Sequence, residues 1–381
     1  MEFTACRLCG RALTADPILA LNGMPRAAQF YPTDEELSSD KGIALDIYQC
    51  GNCGLVQHCL DPVSYYKEVI TATSFSEKTR LTRLEQMTHL VTAFNLKGKK
   101  ALEVGSAKGH MLDIMSEAGM DAVGIEFSAE SVAVGRAAGR TMIQGYIGDL
   151  DLVEGGPYDA FISLNYFEHL PDPASIIEKI YANTTTEGVG FVTVPNLEYL
   201  LESNCLYEFV ADHLSYFTQQ TLSHAFEAHG FDVLECELIN ERNDIAITVQ
   251  KRAQLALTDR YSEILKLSQD LRKTVSDYVD QGKKVAVWGA GHRTLALLAL
   301  SELDDLSFVV DSAVFKHGKR TPVLHLDIVA PERLLKGEID LIIIMVPGLY
   351  PDEVLQTIRQ MDIISDVAIL RGNQIDFIAD K

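Results

Sequence analysis

The residues Ala101-Leu-Glu-Val-Gly-Ser-Ala-Lys-Gly-His110 constrain this chain more than any other stretch, because an apolar strand there runs into two glycines and then a helix. Gly105 and Gly109 let the main chain approach a ligand closely, and the helix predicted over Met111–Ala118 presents free N–H groups at its start. A turn built for pyrophosphate has the spacing Gly-x-Gly-x-x-Gly. The spacing Gly105-x-x-x-Gly109 behind the acidic strand residue Glu103 instead suits a ligand with an amino acid head, and S-adenosylmethionine is such a ligand. Taken alone, the pattern also fits the strand, turn and helix of any α/β domain.

The strands that follow narrow the choice. Asp121-Ala-Val-Gly-Ile-Glu126 reads as a second strand whose closing acid, about 20 positions past the first glycine, suits ribose hydroxyls. Asp149 is a third acid, and Tyr158–Asn165 a fourth apolar run leading into Tyr166-Phe-Glu-His-Leu-Pro-Asp-Pro173. As an ordered set these motifs resemble the class I S-adenosylmethionine-dependent methyltransferases over residues 99–252. The resemblance implies that Glu103, Gly105, Ala107 and Gly109 face the methionine moiety, Glu126 the ribose, and Phe127, Asp149 and Leu150 the adenine. Asn165 joins the cofactor-binding set on the same grounds.

A length of 381 residues exceeds one ordinary core, and three domains are expected. The net charge of −21, with no run of basic residues, argues against duplex DNA or a membrane surface as partner. A small-molecule substrate is the partner expected, and the oligomeric state stays open. No apolar stretch of about 18 residues is present, and Met1-Glu-Phe-Thr-Ala-Cys6 does not read as a secretory leader. A cytoplasmic location is expected. Of the seven cysteines, four form two Cys-x-x-Cys pairs, Cys6/Cys9 and Cys50/Cys53, each with a glycine just past the second thiol. In a reducing compartment such pairs indicate a closed, four-thiolate structural site, with zinc as the ion. The interval between the pairs is long for a zinc ribbon, and an iron–sulfur cluster or two unrelated thiol pairs are the alternatives. Cys59 is read as a buried free thiol.

The expected fold class is α/β: a Rossmann-like, seven-stranded methyltransferase domain, an N-terminal zinc-binding domain and a reduced Rossmann-like domain at the C-terminus. The boundaries are residues 1–62 for the zinc-binding domain and 63–98 for a helical connector with apolar spacing from Leu81 to Phe94. Residues 99–255 form the cofactor domain, with an insert at 195–221 placed as a lid, and residues 256–381 the C-terminal substrate domain. In the last of these, Lys284–Gly291 and Phe308–Asp311 repeat the strand-and-acid pattern, but Thr294 stands at the third glycine position and argues against a second dinucleotide.

The three pieces in this order resemble the sugar C-methyltransferases of bacterial deoxysugar biosynthesis over nearly the whole chain. The residues that carry the likeness are the four paired cysteines, Phe167-Glu-His169, His213-Leu-Ser-Tyr-Phe217, and Val309–Gly318 with Thr321-Pro322. The resemblance implies a nucleotide-linked keto sugar as substrate, a base that removes a proton from the carbon beside the ketone, and transfer of a methyl group to that carbon. His169 and His213 are the candidate bases, with Asp212 placed to fix the tautomer of His213. The chain departs from the family where Tyr, His, Glu, His precede Leu-Ser-Tyr-Phe: it has Val210, Ala211, Asp212 and His213. A further family tyrosine has Val69 and Thr71 as its nearest matches. An O- or N-methyltransferase, which relies on proximity and a modest base, is the alternative reading, and a non-catalytic binding scaffold a further one.

Overall fold

Residues 5–28, 31–68 and 75–379 are described by a computed structural model, in which the chain divides after Ala253 into two units. Val69 and Thr71 lie outside the described residues. Near the N-terminus, β1 (Leu19–Met24), β2 (Ile43–Gln49) and β3 (Val56–His58) pair antiparallel and bury Leu45, Ile47 and Val56. Helix α1 (Glu77–Ala93) starts earlier than the apolar spacing predicts, because the Ser76 side chain caps it by accepting from the Thr79 N–H. Its buried residues Met87, Leu90 and Val91 recur three and four apart, the spacing of one helix face.

The cofactor domain then alternates strand and helix: β4 (Lys100–Val104), α2 (His110–Glu117), β5 (Asp121–Glu126), α3 (Ala129–Ala137), β6 (Met142–Gln144), β7 (Tyr158–Leu164), α4 (Pro173–Ala182) and β8 (Thr184–Pro195). These five strands are parallel neighbours, and the central ones, β4 and β7, are buried along most of their length because helices cover both faces. After α5 (Leu197–Glu202), β9 (Ser215–Tyr216) and α6 (Gln219–Ala228) come β10 (Phe231–Ile239) and β11 (Asp244–Lys251), which add an antiparallel edge. The sheet has seven strands in the order β10-β11-β8-β7-β4-β5-β6. Strand β9, inside the 195–221 insert, pairs with β3 of the N-terminal sheet. The insert is thereby knitted to the cysteine-bearing segment.

The second unit starts with α7 (Leu257–Val279), followed by β12 (Val285–Trp288), α8 (His292–Leu300), β13 (Phe308–Val310), β14 (Ile328–Val329), β15 (Leu341–Ile344), α9 (Tyr350–Gln360), β16 (Asp366–Arg371) and β17 (Gln374–Ile378). Its six-stranded sheet is parallel except for β17, which closes a hairpin with β16. Among the described residues no helix is long and apolar enough to cross a membrane.

In the core beneath the cofactor edge, Phe161 of β7 packs against Phe231 and Phe226, with ring centroids 5.4 and 6.4 Å away. Its cross-strand neighbour is Gly190, where a Cβ would meet the Phe161 ring at 2.0 Å. The ring takes the volume that a side chain on β8 would need. Gly190→Ala therefore overpacks the sheet centre, and we expect a loss of about 2–3 kcal/mol in chemical denaturation, with a lower midpoint at unchanged slope.

Candidate active site

Three residues near the end of β4 adopt positive φ: Gly105 (75°), Ala107 (47°) and Gly109 (80°). The turn is held open by Glu126, at the end of β5. Its Oε2 accepts from the Ala107 N–H and its Oε1 from the Ser128 N–H, each at 2.9 Å. Glu103 is 5% exposed, and its Oε2 has no hydrogen-bond partner. Burial, reinforced by the charge of Glu126, pushes its carboxyl well above the ordinary range. A buried acid with an unmatched oxygen beside an open turn is the arrangement an ammonium or hydroxyl donor completes. Gly109 serves packing as well as φ, since a Cβ there would meet Arg140 Cδ at 2.9 Å and Leu112 Cδ1 at 3.0 Å. Arg140, which motif reading misses, donates to the Lys108 carbonyl and forks onto Asp113, so it clamps the far side of the turn.

Farther along the strand ends, a cavity of about 450 Å³ is lined by Phe127, Gln144, Tyr146, Asp149 and Leu150. Phe127 is 41% exposed. Asp149 accepts from Lys67 Nζ at 2.8 Å, and the same ammonium lies 4.5 Å from the Tyr146 ring centroid. Asn165 is tied elsewhere. Its Oδ1 accepts from Thr193 at 2.7 Å and its Nδ2 donates to Asp244 at 3.5 Å, so its amide is engaged in a network at the sheet's antiparallel edge.

Beyond β7, a short 3-10 turn over Phe167–His169 presents His169. Its Nδ1 lies 2.9 Å from the main-chain oxygen of Asp212. A carbonyl only accepts, so Nδ1 carries the proton and Nε2 keeps a basic lone pair. The His213 ring stands 4.8 Å away, centroid to centroid, and nearly perpendicular at 76°. Burial lowers His169 below the usual imidazole value and pushes His213 down to about 3, so both rings are neutral at neutral pH. Glu168, 2% exposed, has its carboxyl pushed up to about 8 by burial, and its Oε1 lies 3.9 Å from His169 Nε2.

The expected role of Asp212 needs correction. Its carboxylate does not orient His213: Oδ1 accepts from the Tyr65 hydroxyl and Oδ2 from the Ala28 N–H, both at 2.7 Å. What it orients, through its main-chain carbonyl, is His169. The side chain is 4% exposed, and a carboxylate so removed from water needs such donors. Tyr65 was invisible to motif reading because nothing in sequence links it to Asp212.

The four paired cysteines converge. Sγ of Cys6 lies 3.5 Å from that of Cys53, and Sγ of Cys9 3.6 Å from that of Cys50. A tetrahedral shell of thiolates about 2.3 Å from an ion places sulfurs about 3.8 Å apart, close to these values. Each pair sits on a matching turn, with the Gly10 N–H donating to the Cys6 carbonyl and the Gly54 N–H to the Cys50 carbonyl, both at 2.9 Å. Cys59 is half-buried rather than buried, which corrects the sequence expectation.

In the second unit, a cavity of about 870 Å³ is lined by Trp288, Gly291, Arg293, Asp311, Lys316 and Tyr350. Asp311 repeats the bridge made by Glu126, accepting from the Ala290 N–H at 2.7 Å and the Ala313 N–H at 2.8 Å, but it is also neutralised by Lys316 at 2.8 Å. Thr294 is buried and donates to the Met345 carbonyl at 3.1 Å, so the third glycine position is filled by packing.

A family model described as a methyltransferase domain matches residues 77–236, the segment that builds the Glu103–Glu126 turn. The chain is a class I S-adenosylmethionine-dependent methyltransferase. A second family model, described as the C-methyltransferase C-terminal domain, matches residues 247–364 of this methyltransferase. The C-methyltransferase NovU of Streptomyces niveus is 24% identical over 365 residues, 86% of each chain. A ubiquinone biosynthesis O-methyltransferase of Acinetobacter baumannii is 34% identical over 93 residues, 23% of this chain and 39% of its own. Among solved structures, magnesium protoporphyrin IX methyltransferase from Synechocystis matches 45% of this chain and 83% of its own at 15% identity and a TM-score of 0.38.

Glu126 is the acid on which the turn depends. Replacing it with alanine frees the Ala107 and Ser128 amides and removes the acceptor assigned from the sequence to ribose hydroxyls. We expect Glu126→Ala to weaken S-adenosylmethionine binding by about 1–3 kcal/mol in isothermal titration, and unchanged affinity would remove the ribose assignment.

Proposed function

We propose that this methyltransferase acts on a nucleotide-linked sugar and methylates the carbon next to a keto group, with His169 as the base. The observation that carries the proposal is the imidazole pair beyond β7, in which His169 is held by the Asp212 carbonyl with its Nε2 lone pair free. The C-methyltransferase match over residues 247–364 and the similarity to NovU over most of the chain support a carbon acceptor. The O-methyltransferase relative covers only part of the cofactor domain, so that likeness concerns the methyl donor and not the acceptor.

S-adenosylmethionine would supply, when bound, an electrophilic methyl group, the pair of the broken sulfur–methyl bond staying on sulfur as the neutral thioether leaves. The residues assigned to hold it are Glu103, Gly105, Ala107 and Gly109 at the methionine end, Glu126 at the ribose, and Phe127, Asp149 and Leu150 at the adenine. His169 takes the proton from the carbon beside the ketone at Nε2 and becomes an imidazolium whose Nδ1–H stays on the Asp212 carbonyl. The bonding pair left on that carbon forms the new bond to the methyl group. His213, neutral and 4.8 Å away, donates or accepts a hydrogen bond at the sugar rather than competing for the proton. Of the two candidate bases, this selects the one that follows the fourth apolar run, Tyr158–Asn165. The C-terminal unit, residues 256–381, is assigned to the substrate through its own cavity, where Lys316 and Arg293 suit phosphate oxygens and exposed Tyr350 suits a base. The cysteine module, residues 1–62, is assigned a structural zinc ion held by Cys6, Cys9, Cys50 and Cys53, and residues 63–98 the connector. Free thiols paired for a metal suit a reducing cytoplasm.

Incubation with labelled methyl donor and a panel of keto and amino nucleotide sugars, read by mass spectrometry, tests the proposal. A methyl group on carbon supports it; one found only on oxygen or nitrogen gives the proximity-driven alternative. His169→Gln should lower the catalytic rate about a hundredfold or more, with cofactor affinity within about twofold. Because only the neutral imidazole acts as a base and burial lowers its pKa, the wild-type rate should hold at neutral pH and fall as the solution is acidified through a value below 6.5. A rate that instead falls as pH rises would exclude this base.

Metal analysis should find about one zinc per chain. Cys50→Ser should lose the ion together with several kcal/mol of folding free energy. Zinc content and melting temperature both unchanged in that variant would remove the structural-site assignment.

A further inference from the structure

Between Cys6 and Cys9, inside the first cysteine turn, Arg7 is only 5% exposed. Its main-chain N–H donates to Gln57 Oε1 at 2.8 Å. Its guanidinium spreads over three carbonyls: Nε and Nη2 donate to His58, each at 3.3 Å, Nη2 also to Leu60 at 2.7 Å, and Nη1 to Pro171 at 3.1 Å. Pro171 stands two residues after His169. His58, whose carbonyl Arg7 holds, makes a second link. Its Nδ1 accepts from the Leu60 N–H at 3.2 Å, so its Nε2 carries the proton and donates to the Ala211 carbonyl at 3.2 Å, one residue before Asp212. The cysteine turn thus touches both loops that bear the histidines, one through a guanidinium and one through an imidazole.

We propose that Arg7 is a positioning residue for methyl transfer, which carries the geometry of the four-cysteine turn to the His169 loop directly and to the Asp212–His213 loop through His58. The proposal rests on His169 as the base. A guanidinium is a rigid planar fork with donors in fixed directions, so the three carbonyls it binds are fixed relative to one another as well as satisfied. A lysine keeps the charge but lacks that planar set of donors. The Pro171 end of the loop would then lose its fixed distance from the cysteine turn, and His169 with it. Displacement of a reacting group by about 1 Å costs about a hundredfold in rate. The cysteine module on this view sets the reactivity of a site to which it contributes no reacting atom.

The test is Arg7→Lys in the full-length, metal-loaded protein. Its readouts are metal content, S-adenosylmethionine affinity, kcat and KM on the accepted nucleotide sugar, and ¹⁵N signals of the His169 ring, assigned by their absence in His169→Gln. We expect metal content and cofactor affinity within about twofold, kcat lowered about tenfold or more at little-changed KM, and His169 ring signals moved away from a single Nδ1–H tautomer. Ring signals and kcat like those of the wild type would overturn the proposal. So would a loss of turnover matched by loss of metal and of folded protein, with His169 unchanged in what remains folded. If His169→Gln keeps full turnover, the base assignment fails, yet the ring signals in Arg7→Lys still decide whether Arg7 positions that loop. Should Arg7→Lys not fold, His58→Gln and His58→Leu replace it: glutamine keeps a donor toward Ala211 and should preserve kcat, leucine should not, and equal effects would overturn the coupling.

Discussion

A carboxylate withdrawn from water must be met by donors, and Asp212 meets that demand by recruiting from distant parts of the chain. Ala28 and Tyr65 supply the donors, and the main chain of the same residue takes the Nδ1 proton of His169. One residue therefore fixes where the N-terminal segment lies, where the 195–221 insert lies, and which nitrogen of His169 is basic. The pairing of β9 with β3 belongs to the same arrangement, since it holds the insert against the cysteine-bearing sheet. The histidines sit on loops, but these loops are tied at several points, and a base tied in this way keeps its tautomer without a carboxylate beside it.

The cofactor side rests on a similar device. Glu126 bridges two amides, and the positive-φ turn between β4 and α2 stays open because that bridge takes up the Ala107 N–H. Asp311 makes the same bridge in the second unit with a lysine added. The addition changes the chemistry: an acid already neutralised by an ammonium has less to offer ribose hydroxyls. The two βαβ halves share a backbone solution and differ in what their acids are free to bind.

The alternation of strand and helix, the glycine turn, the acids at the strand ends and the pairing of cysteines were legible in the sequence, because each depends on neighbours a few residues apart: apolar runs, a helix start, a knuckle of four residues. Helix α1 was read late by four residues for a local reason as well, since the cap at Ser76 counts for more than the first apolar residue. Asn165 was placed with the cofactor by the family resemblance. Its amide bonds to Thr193 and Asp244, which lie on strands farther along the chain.

What the sequence by itself determined is the class of domain and the place of the glycine turn in it, since periodicity and short spacings specify strands, helices and the turn between them. Which nitrogen of His169 carries the proton was decided only by tertiary structure. The Asp212 side chain sits next to His213 in sequence, yet burial beside Ala28 and Tyr65 turned its carboxylate away and left its carbonyl to His169. The link from Arg7 to Pro171 spans more than 160 residues, and no local pattern encodes it. Hydrogen-bond partners of buried polar groups are chosen by whichever donors and acceptors folding brings within 3 Å or so, and that choice belongs to the packed chain.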